Sequence, residues 1–229
     1  MEFFQLNQAQ AIPTDFFDKD PRDLAIGLLG KVLAFRKDER WLRVRIIETE
    51  AYCRTEKASH SSLGYTEKRR ALFMPAGTIY MYYARGGDSL NFSANGEGNA
   101  VLIKSAFPAL TQADFQAELA RLQNNNPRPD GSQRPLEKLC AGQTLLCKSM
   151  GVKVPDWNSH ALTPGKFELL NDGYQPSDII QTTRLGIHPN RDAHLPLRFI
   201  DDHFTKYCTK NPRGVRNWQN GNQYTILKP

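Results

Sequence analysis

The sequence predicts a mixed α/β fold. Several stretches alternate apolar and polar residues with period 2, as half-buried strands do, and others repeat apolar residues at helical spacing. Gly, Pro and Asn punctuate the boundaries between them. The chain has 229 residues, 40% apolar and 24% charged, which suits one large domain with a real core. It shows no internal repeat and no linker long enough to divide it, so residues 1–229 are expected to form a single domain.

The elements follow in chain order. Asp20-Pro21-Arg22-Asp23 opens a helix, because Asp20 can cap it and Pro21 suits its first turn. Leu24 and Leu28 supply its buried stripe and Gly30 ends it. Strands follow over Lys31–Phe35 and Trp41–Thr49, joined by the polar link Lys37–Arg40 as a hairpin. In the second strand Leu42, Val44 and Ile46 alternate with Arg43 and Arg45. Continued with period 2, the apolar face also carries Glu48, Glu50 and Tyr52. A core face seldom ends in two carboxylates and a tyrosine, so this strand end marks a candidate site.

A strand over Thr78–Tyr83 places Tyr80 and Tyr82 on one face and Ile79 and Met81 on the other. Gly86-Gly87 turns the chain, Ser89–Ser93 returns beside it, and Gly96 and Gly98 turn it again into Ala100–Ser105. Thr111-Gln112-Ala113-Asp114 reads as a capping box, followed by Phe115, Leu119 and Leu122 on one helical face over about 112–123. Asn124–Arg134 is rich in Asn, Pro and Gly and reads as a surface loop, an insertion at about 124–136. A helix over Thr144–Met150 and short strands at Ile187 and Leu197–Ile200 complete the pass.

The net charge is +6, and from Lys206 to Pro229 there are five basic residues and no acidic ones. A basic C-terminal tail over about 206–229 favours an anionic partner without identifying it. Cys53, Cys140, Cys147 and Cys208 have no zinc-ligand spacing and read as reduced thiols. No apolar run reaches membrane-span length and the start has no secretory pattern. The expectation is a monomer in a bacterial cytoplasm, or in the nucleus if the source is eukaryotic, without membrane contact. Gly96-Glu97-Gly98 lacks a third Gly, and the chain has no Walker A, HExxH or Gly-x-Ser-x-Gly motif.

One ordered set of residues carries chemistry. It comprises Arg45-Ile46-Ile47-Glu48-Thr49-Glu50-Ala51-Tyr52, then His60, then Phe73-Met74-Pro75-Ala76-Gly77-Thr78-Ile79-Tyr80-Met81-Tyr82, then Asn91. Taken singly, each residue has an ordinary explanation: a solvated carboxylate, a structural histidine, a packed sheet face, a turn asparagine. In this order they resemble the core signature of the alkyladenine (3-methyladenine) DNA glycosylase family. Asp15-Phe16-Phe17-Asp18, Leu28–Leu33, Gly96–Ile103, Leu139-Cys140-Ala141-Gly142, Arg184–Ile187 and Pro196–Phe199 extend the resemblance from about residue 14 to about residue 200.

The resemblance implies a curved, mainly antiparallel sheet or open barrel flanked by helices, with the 78–93 hairpin entering the DNA minor groove. It implies a substrate of double-stranded DNA holding alkylated, deaminated or etheno purines, and no metal or organic cofactor. Glu50 takes the role of the base that activates water. Tyr52, His60, Tyr80, Tyr82, Asn91 and Leu102 form the expected base pocket, with Asn91 crowding the amino group of guanine and the main chain at His60 reading the purine edge. Such an enzyme flips its target out of the duplex, and aromatic faces hold it by stacking and, for charged bases, by cation–π attraction.

Three departures from the family pattern matter. The hairpin tip Tyr83-Ala84-Arg85-Gly86-Gly87-Asp88 is one residue shorter, so Tyr83, Ala84 or Arg85 can hold the base-displacing position. Tyr83 is the preferred wedge, with Arg85 on phosphate or as an alternative plug. Lys104 stands where an Arg supports the catalytic water and Glu, keeping charge and losing the forked donor; an amine there also leaves open attack on the sugar. Gly142-Gln143-Thr144 replaces a stretch with a phosphate-contacting lysine, a role left to Lys148 or the basic tail. Two other readings stay open: a damaged-DNA-binding module with little or no catalysis, and a metal-dependent nuclease using Glu48 and Glu50.

Overall fold

The fold is built outward from one long strand, β3 (Arg40–Tyr52). A computed structural model describes residues 9–84, 86–111 and 113–229 of the chain. Strand β2 (Val32–Lys37) precedes β3 in a hairpin closed by Asp38 and Glu39, both at positive φ, with Lys37 opposite Arg40. Two central residues in the left-handed region are what a two-residue type I′ turn requires. Along its other edge β3 pairs with β6 (Ala100–Pro108). From Glu48 onward the edge that began with β2 is taken over by β9 (Arg198–Asp201). Glu48, Thr49 and Glu50 therefore lie mid-sheet, with a strand on each side.

The rest of the sheet grows from these pairs. On one side are β7 (Phe167–Asn171) and the short β1 (Gln10–Ala11). On the other are β5 (Gly87–Ser93) and β4 (Ile79–Ala84), which form the hairpin expected at 78–93. A branch runs from β9 through β8 (Ile179–Thr182) to β10 (Tyr224–Leu227). The strand pairs are antiparallel and the sheet does not close on itself, as the fold class anticipated.

Among the described residues four α-helices pack against this sheet. Helix α1 (Pro21–Leu28) begins as expected, with the Asp20 carboxylate accepting from the Arg22 N–H at 2.8 Å, and it buries Leu24 and Leu28. Helices α2 (Phe115–Asn125), α3 (Gln143–Met150) and α4 (Val154–Trp157) follow. Leu24, Leu28, Val44, Ile46, Phe92, Val101, Leu122, Phe167 and Phe199 belong to one buried cluster. Each such side chain contributes about 1.5–3 kcal/mol on leaving water, so this cluster fixes the positions of α1, α2 and the central strands.

Several expectations need correction. Helix α2 starts at Phe115, later than expected; Thr111 Oγ1 accepts from the Asp114 N–H at 3.3 Å, so the cap forms ahead of the helix. Gln112 of that box lies outside the described residues. Ile187 is not in a strand. The basic C-terminal stretch is tied to the sheet: β10 pairs with β8, and Arg213 and Lys228 are ion-paired with Asp202 and Asp178. Its charge is partly spent on holding the edge of the sheet.

The most consequential correction concerns β3. Ile46 pairs with Ala106, Glu48 with Ser105, and Thr49 with Ile103. Ile47 is thus an extra residue on β3, and Lys104 an extra residue on β6. A one-residue bulge reverses which face the following side chains occupy. Before it, Val44 and Ile46 enter the core, while Arg45 lies on the opposite face with its guanidinium 4.4 Å from the Tyr174 ring. After it, Ala51 enters the core and Thr49 Oγ1 donates to the Ala25 carbonyl of α1 at 2.8 Å. Glu48, Glu50 and Tyr52 are therefore not a continuation of the Leu42-Val44-Ile46 face; the bulge turns them away from the core.

Candidate active site

Glu50 has no exposed surface. Its Oε2 accepts the Tyr52 hydroxyl at 2.8 Å, its Oε1 accepts the Leu185 N–H at 3.3 Å, and the Lys104 ammonium lies 3.3 Å from Oε1. Lys104 also donates to the Gln143 side-chain oxygen at 3.2 Å. The two bulges bring this about, since one turns Glu50 toward the site and the other sets Lys104 beside it. Burying a carboxylate is costly unless charge and hydrogen bonds compensate, and here an ammonium and two donors do so.

Tyr52 is held from behind. The Arg184 guanidinium lies 4.6 Å from its ring centre, donates to the Ala51 carbonyl at 2.8 Å, and is ion-paired with Glu56. Burial, and then the neighbouring Glu50 charge, hold the Tyr52 phenol well above its usual range. It therefore stays a donor to Glu50 at any physiological pH.

An aromatic wall is formed on β4. Tyr80 and Tyr82 share a face as expected, with ring centres 5.4 Å apart and planes 30° apart. The His60 ring meets Tyr82 at 4.5 Å, and His60 Nδ1 shares a hydrogen bond with the Tyr80 hydroxyl at 3.0 Å. Burial, with Arg69 and Arg191 adding to it, lowers the His60 pKa below the usual 6.5, so the ring is neutral at neutral pH. Asn91 pairs with Tyr80 across the hairpin, and its Nδ2 donates to the Tyr80 carbonyl at 3.0 Å, which fixes the amide's orientation.

These groups enclose a cavity of about 380 Å³, within the range of small-molecule sites, roughly 300–1,000 Å³. Tyr52, His60, Tyr80, Tyr82, Asn91, Leu102 and Lys104 all line it. Glu50 lies just behind that lining, reached through Tyr52 and Lys104. Of the two tip residues, Tyr83 is 65% exposed, on the hairpin beside the cavity. Arg85 lies outside the described residues.

Gln143 and Thr144, at the start of α3, close one edge of the cavity. Helix and hairpin meet there at Gly87, where a Cβ would stand only 2.8 Å from the Thr144 Cβ; a larger residue would push the wall off the helix. Arg184, Gln143 and Leu185 serve the site, yet sequence reading gave none of them a role. Arg184 and Leu185 were visible only as part of a matched stretch, and Gln143 only as a departure from one.

Glu48 has a different environment. Arg198 Nε donates to it at 2.6 Å, the Thr209 N–H and hydroxyl each donate at 2.9 Å, and Ser105 Oγ donates to the same oxygen as Thr209. Its oxygens are taken, so Glu48 and Glu50 do not converge as a pair on a shared cation. That removes the geometric basis of the nuclease reading. Glu48 is the structural, Arg-paired carboxylate.

Comparison with known proteins shows the family. The model of the methylpurine-DNA glycosylase family matches residues 15–204. A protein of Pseudomonas savastanoi pv. phaseolicola is 55% identical over 218 residues, covering 95% of this chain and 97% of its own. One from Pseudomonas aeruginosa is 56% identical, covering 89% and 85%. One from Methanoculleus marisnigri is 33% identical, covering 82% and 93%. All three are named, provisionally, as 3-methyladenine DNA glycosylases. Among the described residues no helix is long and apolar enough to cross a membrane. With the family model matched over residues 15–204 and these relatives covered almost end to end, this chain belongs to the methylpurine-DNA glycosylase family.

Proposed function

We propose that the protein acts in base excision repair, hydrolysing the N-glycosidic bond of a damaged purine flipped out of double-stranded DNA. The observation that carries this is the buried Glu50 carboxylate, held by Tyr52 and Lys104, which line an aromatic cavity. The sugar carbon gains positive charge as its bond to the base breaks. A water oxygen bonds to that carbon and its proton passes to Glu50, which also stabilises the developing charge. The base leaves with the bonding electrons, and an abasic site remains. Lys104 orients Glu50 and the water.

Tyr52, His60, Tyr80 and Tyr82, which line the cavity with Leu102, stack the base. A stack contributes about 1–3 kcal/mol per base, and a cationic alkylated purine gains further from the electron-rich rings. Asn91 is pinned and crowds the amino group of guanine. The main chain at His60 reads the purine edge. Tyr83 fills the gap left in the duplex, with Arg85 on phosphate. The reading needs no metal or organic cofactor and takes the enzyme as a monomer in a bacterial cytoplasm.

The test is base release from duplexes carrying one hypoxanthine, ethenoadenine or 7-methylguanine, in chelator, by the native chain and by Glu50→Gln. Release by the native chain and near-complete loss in the variant supports the proposal. Binding of damaged duplex without release by either protein replaces it with the non-catalytic reader. Release that vanishes in chelator replaces it with metal-dependent chemistry.

A further inference from the structure

Among the described residues three large apolar side chains are exposed: Leu63, Tyr65 and Tyr83, at 64%, 55% and 65%. Single exposed apolar residues need no explanation, but these three lie on the two chain segments that also supply the cavity's lining. Tyr83 lies at the end of the strand whose Tyr82 and Ala84 line the cavity, with its own side chain on the other face of the hairpin, and Leu63 and Tyr65 belong to the segment between His60 and Leu72, which also line it. The hairpin thus supplies one and a separate loop supplies two.

That loop is built. Arg69 Nη1 donates to the Leu63 carbonyl at 3.3 Å and to the Gly64 carbonyl at 3.1 Å. Gly64 turns at φ +80°, a conformation glycine adopts without strain. The Tyr65 ring stands edge-on to Phe73 at 5.4 Å, and Phe73 packs on Leu72, Tyr80 and Ala100. Tyr65 is therefore joined by ring contacts to the cavity wall, while most of its surface faces solvent. Its hydroxyl donates to Glu67 at 2.6 Å. Next in the chain are Lys68, Arg69 and Arg70, the first and last exposed. Arg54 lies over Phe73 but is paired with Glu97. Apolar side chains beside an excess of positive charge match a partner with apolar sugar faces between phosphates.

We propose that Leu63 and Tyr65 are a second apolar contact on the damaged duplex. They seat against sugar faces and base edges next to the flipped nucleotide, while Lys68 and Arg70 hold the flanking phosphates. The pair works with Tyr83 to keep the opened duplex from closing. This rests on the reading of damaged duplex DNA as substrate. A contact made only at the opened site adds to damage-selective binding, whereas a phosphate contact adds to all DNA binding and to its salt dependence.

The experiment uses the full chain, with anisotropy titrations of a duplex carrying a tetrahydrofuran abasic analogue and of its undamaged counterpart. Both Leu63→Ser/Tyr65→Ser and Leu63→Ser alone are tested, each checked by its melting temperature. The double variant is expected to lose tenfold or more in affinity for the analogue duplex and less than twofold for the undamaged one, with Leu63→Ser intermediate. Lys68→Gln/Arg70→Gln is expected to weaken both duplexes alike and to flatten the salt dependence. Variants at Leu63 and Tyr65 that bind both duplexes like the native chain overturn the proposal. So does a native dimer in sedimentation that disperses in the double variant, since the loop would then be a contact between copies. A native chain that neither binds damaged duplex nor releases base overturns the enzyme reading itself, a result separate from these.

Discussion

Glu48 and Glu50 are two residues apart on one strand, equally buried, and on the same face, yet the fold uses them for different purposes. Glu48 meets a guanidinium, a backbone N–H and two hydroxyls, one oxygen accepting from three donors. It ties β3 to β9 and to the chain at Thr209. Glu50 meets a movable ammonium, a phenol and one backbone N–H, and all but the last belong to side chains that line the cavity. A carboxylate saturated by fixed donors is a structural anchor. One that shares flexible donors with an open cavity can accept a proton from something that enters it. The difference is made by neighbours, not by the glutamates themselves.

The sharpest way to break this comparison is to neutralise each in turn. Glu50→Gln keeps the shape and removes the base, so single-turnover release should fall by about 10²–10⁴, the usual contribution of a positioned base, with little change in melting temperature. Glu48→Ala should do the reverse. It leaves Arg198 charged and unpaired inside the fold, at a cost of about 3–5 kcal/mol, seen in denaturant titration, while the folded fraction keeps its rate. If that variant does not fold, Glu48→Met/Arg198→Met should recover most of the stability, because removing both charges removes the penalty. Equal loss of rate from both single changes would mean the two carboxylates act together.

Lys104 tests whether Glu50 depends on a charge or on a geometry. Lys104→Met should lower release by about 10², the order seen when one transition-state donor is removed, and should also lower stability, because the buried Glu50 carboxylate loses its charge partner. Lys104→Arg should retain most activity, since charge and reach are kept. A borohydride trapping experiment addresses the other use of an amine at this place. A trapped enzyme–DNA adduct that Lys104→Arg abolishes would make Lys104 a nucleophile rather than a helper.

Tyr52 joins the two functions, since its ring faces the cavity and its hydroxyl holds Glu50. Tyr52→Phe keeps the ring and should cost about tenfold in the rate of release, in line with a hydrogen bond to a charged group. Tyr52→Ala loses the stack as well and should cost more, now also in the concentration of enzyme needed for half-maximal rate. A Phe variant as impaired in that concentration as the Ala variant would show that the hydroxyl, not the face, contacts the base.

Much of this was legible in sequence and part was not, for identifiable reasons. The Tyr80/Tyr82 face follows from strict alternation, and α1 from Asp20-Pro21 and its apolar spacing. The strands β7, β8 and β10 went unread because Phe-Glu-Leu-Leu-Asn, Ile-Ile-Gln-Thr and Tyr-Thr-Ile-Leu are short apolar runs with no clear period. The bulge at Ile47 was unreadable for a deeper reason: Ile46-Ile47 is apolar on both sides, so either parity fits until the partner strand is known. The site residues were placed by their order in a family pattern, and a reversal of faces does not disturb order. Arg184 needed three dimensions, because it meets Tyr52 from a loop far along the chain.

The smallest expected effect concerns pH, and it contrasts His60 with the carboxylates. Burial lowers the His60 pKa below 6.5, and Arg69 and Arg191 push the same way. The groups around the ring are the Tyr80 hydroxyl, the Tyr82 ring and these two arginines, and none supplies a negative charge. As pH falls below 6.5 the unfolded chain binds a proton that the native site refuses, so stability declines until the depressed native value is passed and then levels off. Protonation in the folded state also sets a positive charge beside the aromatic wall. A cationic base should then be repelled where a neutral one is not. The ratio of 7-methylguanine to hypoxanthine release should therefore fall as pH drops through the native His60 value, by at most about tenfold per unit. His60→Gln should flatten that ratio while leaving both rates measurable. A ratio independent of pH in the native chain, with both rates falling together, would instead mean that the acid loss lies in the shared chemistry at Glu50 and that His60 is only part of the wall.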